Sequence, residues 1–412
     1  MRALAILCVK NEGAFLLEWL AHHRATGFTD FLVFSNDCSD GTDLMLDRLA
    51  AMGWLTHVRN SGPHDEGPQW AMLKSADKHP MVKRADWLLF SDIDEFVNIH
   101  TGNRTLPALL AARPEATAFA LTWRMFGNAG VIEISDQPIC ETFTHAAPAS
   151  FAWPWRAQLF KTLFRNDGTY RKLGVHRPRA PDKARLAQAR WFDGSGRPLD
   201  GAFLNARIFS DFGQDNYQII QLNHYALGAM ESYILKCDRG RANRAASTFD
   251  MSYWVERNFA AVEDITIRRI TERAAPLRAE LMADPELGTL HLKAIAWRRA
   301  RFAALMLAPV FTLFMTPAES LMVSETTVHR LPAEFSAEVR ARLAERNIAA
   351  PADATDKVSI SLGGTTHKKT ISELQTLGVT LGKAGNKDDA QQANALKLLN
   401  LKYLDGVVYV CV

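Results

Sequence analysis

Apolar and polar positions in the first hundred residues follow two patterns in turn. Residues 4–9 form a continuous apolar run, which is typical of a strand covered on both faces. Residues 15–23 then place Phe, Leu, Trp and His at helical spacing, with Gly27 at the expected helix end. The same patterns predict further strands at 31–34, 54–58 and 87–91 and helices at 44–52 and 69–79. Repeated βα units predict an α/β fold, a mostly parallel sheet with helices on both faces.

The rest of the chain changes character twice. Residues 106–230 are rich in aromatics, Pro and Gly and predict strands and long loops, whereas residues 231–349 are mainly helical in pattern. The segment AAPADATD at 349–356 is typical of a linker, and two apolar runs beyond it predict strands. The uncharged stretch 302–318 contains two prolines and is shorter than the ~20 residues needed to span a bilayer. It predicts a broken core helix, with peripheral membrane contact as the alternative.

Composition and charge exclude several classes of protein. The 412 residues predict two to three domains, and 48% hydrophobic with 23% charged residues excludes disorder, collagen and coiled coil. Because 48 basic residues nearly balance 45 acidic ones, no global field favours nucleic acid as a partner. Through residue 350 the chain has 32 Arg and 9 Lys, and beyond it no Arg and 7 Lys. This switch predicts a C-terminal piece of separate character.

The location of the protein is predicted from its cysteines and its first residues. Five scattered cysteines, none at metal-ligand spacing, favour a reducing compartment. The apolar run at 3–9 is too short for a signal peptide. We therefore expect a cytoplasmic protein, with contact at the inner face of a membrane as the alternative.

An acidic motif follows the fourth predicted strand. Asp92 and Asp94 leave the buried run WLLFS, and Glu95 adds a third carboxylate. In parallel sheets ligands bind outside the carboxyl ends of the strands, and two hard oxygen ligands with open positions suit Mg²⁺ or Mn²⁺. Such an ion neutralises a departing diphosphate. The alternative is that these side chains are solvated caps of an ordinary surface turn.

A second polar turn, NDCSDGT, follows the second predicted strand. Asn36, Asp37 and Asp40 open a helix here, where short polar side chains can reach a ligand and accept hydrogen bonds from the N–H edge of a pyrimidine. The alternative is a helix cap with no ligand.

Basic side chains cluster in two later segments. Lys236, Arg239, Arg241 and Arg244 form a run that can fold over a diphosphate, because Arg offers planar donors to phosphate oxygens. A solvated helix face is the alternative. A second basic patch spans residues 156–190. It can bind an anionic acceptor or a phosphate, or it can simply face solvent.

Together these segments resemble the GT-A glycosyltransferases, particularly family 2 and the related family 92 group. The resemblance covers about residues 3–245. It rests on these motifs in order: VKNE (9–12), EWLAHH (18–23), SNDCSDGT (35–42), SDIDEF (91–96), WRMFGNAG (123–130), KTLFR (161–165), GVH (174–176) and NHYALGAMESYILKCDRGR (223–241).

The resemblance implies a metal-dependent transfer of a sugar from a nucleotide diphosphate, UDP above all, to a glycan, polysaccharide or lipid-linked acceptor. It implies that Asp37 contacts the base, that Asp92 contacts the ribose or the metal region, and that Asp94 ligates Mn²⁺ or Mg²⁺. His224 resembles the late histidine that completes the metal or diphosphate site in many GT-A enzymes, although a lone histidine is often structural. Further donor contacts are expected from these residues: Asn11, Glu12, Asn36, Asp40, Lys236, Arg239 and Arg241.

The general base is the least defined role. Inverting transfer is a single displacement in which a carboxylate takes the acceptor proton, and families 2 and 92 resemble inverting enzymes. The candidates between residues 130 and 215 are Glu133, Asp136, Glu141, Asp193 and Asp211, with His176 as a further cleft residue. No acidic pair here matches the usual family 2 pattern.

Other classes fit less well. A haloacid dehalogenase-like phosphatase has its acidic pair after the first strand, and a Rossmann dehydrogenase needs a G-x-G-x-x-G that is missing here. A catalytically silent nucleotide- or sugar-binding module stays open as the alternative to an enzyme. The predicted organisation is a donor half (1–105), an acceptor half (106–245), a helical extension (246–350) and a small α/β appendage (351–412).

Overall fold

The protein is represented by a computed structural model that describes residues 1–150, 154–211, 213–239, 251–306 and five short stretches between 357 and 410. The predicted pattern of the first hundred residues is confirmed. The elements of this part are β1 (Ala3–Val9), α1 (Gly13–Thr26), β2 (Asp30–Ser35), α2 (Thr42–Ala51), β3 (Thr56–Arg59), α3 (Pro68–Ala76), α4 (Pro80–Arg84), β4 (Trp87–Ser91) and β5 (Glu95–Ile99). Helix α1 ends at Gly27, whose φ of 104° is the left-handed conformation that glycine adopts without strain.

Short strands and loops make up most of the middle of the chain, as predicted. Its elements are α5 (Leu106–Ala112), β6 (Ala118–Met125), α6 (Ile139–Thr142), β7 (His145–Ala146), a 3-10 turn (Trp155–Gln158), β8 (Phe160–Arg165), β9 (Tyr170–Lys172), β10 (Arg179–Pro181), α7 (Lys183–Leu186), β11 (Trp191–Asp193), β12 (Pro198–Leu199), a 3-10 turn (Gly201–Leu204) and β13 (Ile220–His224).

The later described residues are mainly helical up to residue 306 and form strands beyond it. They comprise α8 (Met230–Arg239), α9 (Met251–Val255), β14 (Val262–Glu263), α10 (Arg268–Ala283), α11 (Pro285–Met306), β15 (Lys357–Leu362), β16 (Thr365–Thr370), β17 (Thr380–Lys383), β18 (Lys402–Leu404) and β19 (Val407–Val410). Residues 307–318 of the uncharged stretch, including both prolines of the predicted broken helix, lie outside the described residues. Among the described helices, none has the length and apolar character needed to cross a membrane.

One large mixed sheet organises the molecule, in the order β12-β11-β6-β8-β4-β1-β2-β3, with β13 joining β6 and β5. Strands β3, β2, β1 and β4 are parallel to one another, and β8 runs antiparallel between β4 and β6. This is the predicted mostly parallel α/β sheet. Because β13 is parallel to β6, its carboxyl end lies at the same edge as those of β1, β2 and β4.

Both faces of the sheet are covered. In β1, Leu4 and Ile6 belong to one buried apolar cluster, while Ala5 and Leu7 belong to the other. The continuous apolar run of β1 follows from this two-sided burial. Because strands from both predicted halves share the sheet, it continues without a break across the boundary at residue 105.

Helices α10 and α11 pack against the helices of the donor half. A Cβ added to Gly13, at the start of α1, would lie 2.9 Å from the Cβ of Ala294 in α11, so only glycine permits this close approach. Arg48 of α2 donates to Asp284, at the junction of α10 and α11, at 2.5 Å. These contacts bring the middle of α11 beside the start of α1, close to the carboxyl end of β1.

Candidate active site

A cleft of about 270 Å³ lies at the carboxyl edge of the sheet. Its walls come from the ends of β1, β4 and β13, from the turn after β2 and from helix α8. Its polar lining comprises Lys10, Glu12, Asn36, Gln69, Asp92, Asp94, Trp123, His224, Lys236, Arg239, Tyr253 and Arg257. The structure thus brings five separate motifs of the sequence to one place.

A buried lysine holds the acidic motif. The turn after β4 is closed by a hydrogen bond from the Glu95 amide to the Asp92 carbonyl, and the Glu95 carboxylate accepts from the Asp92 amide at 2.8 Å. Lys161 of β8 is fully buried, and its Nζ lies 2.9 Å from Asp92 and 3.8 Å from Glu95. Burial raises the pKa of Glu95 to about 8, and the Lys161 ammonium acts in the opposite sense. Glu95 is therefore a buried residue that holds the turn in place, whereas the side chain of Asp92 is 35% exposed and faces the cleft.

Trp123 connects this support to the histidine of the cleft. Its indole Nε1 donates to Glu95 at 2.6 Å, and its ring lies 4.3 Å from that of His224. Strand β13 pairs with both β5 and β6, which sets His224 opposite Glu95 and Met125. The orientation of the imidazole is thus set by two neighbouring strands and an adjacent indole.

Asp94 and His224 face each other across the cleft. Lys236 of α8 lies 2.8 Å from Asp94 Oδ2, and His224 Nε2 lies 3.7 Å from Asp94 Oδ1. Burial alone would raise the pKa of Asp94, but Lys236 and His224 outweigh it and lower the value to about 2. Burial lowers the pKa of His224 to about 3, so the imidazole is neutral at pH 7.

Two protein ligands fit a divalent cation here. The 3.7 Å between Asp94 Oδ1 and His224 Nε2 is a separation that two ligands of one ion span, because each bond is about 2.1 Å long. His224 Nδ1 is buried without a hydrogen-bond partner in the described part of the chain. No group of three His, Cys, Asp or Glu side chains gathers at metal-ligand geometry among the described residues. An ion here would take its other ligands from phosphate oxygens and water, as Mg²⁺ commonly does.

The turn after β2 divides its three predicted residues between different roles. Asn36 lines the cleft and is held by its amide, which donates to the Val9 carbonyl at 3.2 Å. Asp37 is exposed at the tip of the turn with φ 42°. Asp40 is buried, and its carboxylate accepts from the Thr42 amide at 2.9 Å and the Gly13 amide at 3.0 Å. Since its oxygens cap α2 and bind α1, the predicted donor contact of Asp40 is corrected to a structural role.

The first motif and the late basic run meet in an ion pair. Glu12, which lines the cleft, pairs with Arg239 of α8, and Arg239 also donates to the Lys10 carbonyl at 3.1 Å. Asn11 lies beside the cleft with φ 55°, and its Oδ1 accepts from the Ser39 amide at 2.7 Å. Arg241 lies outside the described residues, as does Arg244.

The predicted general bases are not found in the cleft. Glu133 is exposed and not among its lining residues, because the next residue, Ile134, packs on Ile234 and bonds through its amide to Glu231 at the start of α8. The other candidates also lie elsewhere: Asp136 pairs with His291, Asp193 with Arg197 and Asp211 with Arg207, and Glu141 lines a separate pocket beside α1.

His176 lies behind the cleft, beside the buried support of the acidic motif. Its Nδ1 is 3.1 Å from the Phe160 carbonyl, and its ring is 5.7 Å from that of Trp123. Burial lowers its pKa to about 4, and the nearby Lys161 acts in the same direction. A neutral His176 therefore contacts the supporting residues and not the open cleft.

Lys161 and Trp123 contact the acidic motif but were not predicted as site residues, although they belong to the motifs KTLFR and WRMFGNAG. A lysine inside the apolar strand FKTLF was the available signal, since buried Lys is rare unless it is paired. Cys8 also lines the cleft, but burial raises the pKa of its thiol to about 12, so it is no nucleophile at neutral pH. Cys8, Cys38 and Cys140 form no disulfide among the described residues.

The first 185 residues of the chain are similar to known proteins. The family model described as Glycosyltransferase family 92 matches residues 5–185. By sequence, this region is therefore similar to the family 92 glycosyltransferases. The match confirms the resemblance inferred from the motifs, and the observed mostly parallel α/β sheet agrees with the predicted GT-A class.

Curated relatives of the same family match a similar portion. A glycosyltransferase family 92 protein of Oryza sativa subsp. japonica is 24% identical over 143 residues, covering 33% of this chain and 23% of the relative. One of Ricinus communis is 24% identical over 148 residues, covering 32% and 24%. The chain therefore spans about a quarter of the length of these relatives.

Solved structures superpose on this chain only with low TM-scores. TarS 1–349 of S. aureus in complex with UDP is 12% identical with a TM-score of 0.29, covering 90% of this chain and 97% of that one. Glucosyl-3-phosphoglycerate synthase of Mycobacterium tuberculosis with Mn²⁺ and UDP is 18% identical with a TM-score of 0.22, covering 30% and 44%. The fold is therefore defined by the strand order of the sheet.

Proposed function

We propose that this protein transfers a sugar from a nucleotide diphosphate, of the UDP type, to an acceptor hydroxyl with inversion. The observation that carries the proposal is the meeting of the acidic motif, the turn after β2, His224 and the basic end of α8 around one cleft. Asp92 and Asp94 lie within the residues that match family 92, and Lys236 and Arg239, beyond that match, supply positive charges suited to phosphate oxygens.

The donor is expected to lie along the sheet edge. Asn36, at the end of β2, faces the end that takes the nucleoside, and the exposed Asp37 can reach its base. The diphosphate would lie against Lys236 and Arg239, whose positive charges stabilise the departing nucleotide. Asp94 and His224 would hold a Mn²⁺ or Mg²⁺ ion, which when bound supplies further charge neutralisation at the diphosphate.

A screen of nucleotide sugars tests this proposal. The protein is incubated with UDP-, GDP- and CMP-linked sugars in the presence of millimolar Mn²⁺, and free nucleotide is measured with and without simple sugar acceptors. We expect metal-dependent release from at least one UDP-sugar and its loss in Asp94→Ala. Silence across donors and acceptors, with UDP still bound, would instead identify a catalytically silent binding module.

A further inference from the structure

Arg298 is a buried cation that has no carboxylate partner among the described residues. It lies in α11, outside the region that matches family 92, and its side chain is only 4% exposed. Its guanidinium lies 4.4 Å from the centre of the Phe15 ring and donates to Ser232 Oγ at 2.9 Å. Its Nε is buried without a partner, and no described carboxylate lies within ion-pair distance. A charge buried in this way is costly unless an opposite charge reaches it.

The carboxylates that line the space beside Arg298 already have partners. They form these pairs: Glu12 with Arg239, Asp94 with Lys236, and Asp238 with Arg301 through two hydrogen bonds of 2.7 and 2.8 Å. None of the three is therefore available as the counterion of Arg298.

Asp40 is a further acid whose charge reaches Arg298, but only at a distance. It partly offsets the burial that lowers the pKa of Arg298 to about 10. The Asp40 oxygens accept hydrogen bonds from the amides of Gly13 and Thr42 and make no ion pair with Arg298. In turn, burial and the charge of Arg298 lower the pKa of the neighbouring Arg239 to about 10. Arg298 thus lacks a direct counterion among the described residues.

A small cavity opens in front of these cations. Its volume is about 60 Å³, and it lies between the start of α1, helix α8 and helix α11. Since one water needs roughly 10 to 15 Å³ in this measure, the cavity holds about four waters, the size of a phosphate group and too small for a sugar ring. Its lining includes Asn11, Ser232, Arg239 and Arg298, and it shares Asp94 and Lys236 with the cleft.

We propose that this cavity is a phosphate subsite, with the Arg298 guanidinium as its principal donor and Arg239 and Ser232 at its sides. An oxyanion there would supply the missing counterion and accept the hydrogen bonds that Arg298 leaves unmade. That the phosphate belongs to a substrate rests on the proposed function. Two sources share this chemistry: the terminal phosphate of the nucleotide donor and a phosphate group on the acceptor.

Inorganic phosphate is the first probe, because its binding requires no activity. We expect it to raise the melting temperature of the wild-type protein, and its affinity to fall about tenfold or more in Arg298→Gln, since hydrogen bonds to charged groups are strong. Arg299, the next residue of the same helix, is exposed, so Arg299→Gln is the matched control and keeps wild-type affinity. Arg298→Met, which also removes the charge, replaces Arg298→Gln if the latter fails to fold. No phosphate binding by the wild type, or equal binding by the Arg298 variant, overturns the proposal.

Nucleotides and a phosphomonoester distinguish the two sources. If the donor supplies the phosphate, Arg298→Gln weakens UDP binding about tenfold and leaves UMP binding unchanged. If the acceptor supplies it, UDP binding is unchanged, and glycerol phosphate binds the wild type but not the variant in the presence of saturating UDP. Phosphate binding that depends on Arg298 in a protein inert toward all nucleotides would support the subsite while contradicting the proposed function.

Discussion

Lys161 is the residue on which the geometry of the acidic motif depends. Its ammonium is fully buried and faces both Asp92 and Glu95. Removing one partner of a buried ion pair leaves the other charge uncompensated, which costs about 3–5 kcal/mol in measured cases, and the partial exposure of Asp92 places this site at the lower end. Lys161→Met is therefore expected to lower the free energy of unfolding by about 3 kcal/mol in urea denaturation.

The double variant Lys161→Met with Asp92→Asn is the control for this prediction, because Asp92 is the carboxylate nearest to the Lys161 ammonium. Because the asparagine amide carries no charge, the second change should recover part of the loss. A single variant as stable as the wild type would show that Lys161 is not the counterion of the motif.

His22, which stands in the EWLAHH motif on α1, is expected to make stability depend on pH. Its Nε2 lies 2.8 Å from the Val97 carbonyl, and burial lowers its pKa to about 4 from an ordinary 6.5. Below pH 6.5 the imidazole is protonated in the unfolded chain but stays neutral in the folded chain. The free energy of unfolding therefore falls by about 1.4 kcal/mol for each pH unit between pH 6.5 and about pH 4.

The variant His22→Gln can keep a donor to Val97 without titrating. Relative to pH 8, its unfolding free energy at pH 5 should fall less than that of the wild type, by about 2 kcal/mol. Equal pH profiles for the two proteins in urea denaturation would contradict the assignment.

Local sequence predicted the acidic side chains of the site but not their partners. Asp92 and Asp94 follow a buried strand, and short-range pattern is enough to find such a position. Lys161 reaches them only because β8 inserts antiparallel between β4 and β6. That pairing is a long-range property that no local spacing encodes.

Among the elements, the turn between β2 and α2 holds one structural aspartate and one aspartate for which we propose a ligand contact. Asp40 caps α2 and holds the start of α1, whereas Asp37 is exposed at the tip. Asp40→Ala should cost about 1–2 kcal/mol of stability, the usual loss of a cap, and leave UDP affinity unchanged.

Asp37→Gly is the matched comparison and should do the opposite, weakening UDP binding with little change in melting temperature, because glycine adopts the φ of 42° at this position without strain. Calorimetric titration of UDP and thermal unfolding of both variants measure the two effects. A large loss of UDP affinity in Asp40→Ala, at unchanged stability, would restore the ligand role for Asp40.

Elements with a clear hydrophobic period were predictable, and elements defined by pairing were not. The strands β1, β2 and β4 and the helices α1 and α2 follow from apolar runs and glycine stops. Strand β13 carries His224 into the cleft by pairing with β5 and β6, and its sequence IQLNH has no feature that reveals those partners. Glu133 lies outside the cleft for the same reason, since its neighbour Ile134 packs against α8.

At the scale of the whole molecule, the C-terminal piece is expected to be separable. Among the described strands, β15–β19 pair only with one another, and none joins the large sheet. A protein ending at residue 350 should therefore keep the wild-type melting temperature and the same stabilisation by UDP. Aggregation or loss of the UDP effect on truncation would place the boundary elsewhere.

The central claim is that the cleft binds a nucleotide diphosphate together with a divalent cation. Calorimetric titration of UDP with and without Mn²⁺ tests this claim most directly. The ratio of the two affinities is the readout, because Asp94→Ala frees Lys236 and changes metal-free binding as well. Mn²⁺ should tighten UDP binding about tenfold or more in the wild type and in the control Glu133→Ala, whose side chain is exposed outside the cleft. In Asp94→Ala the ratio should fall to about one. An undiminished Mn²⁺ effect in Asp94→Ala would contradict the assignment of this cleft.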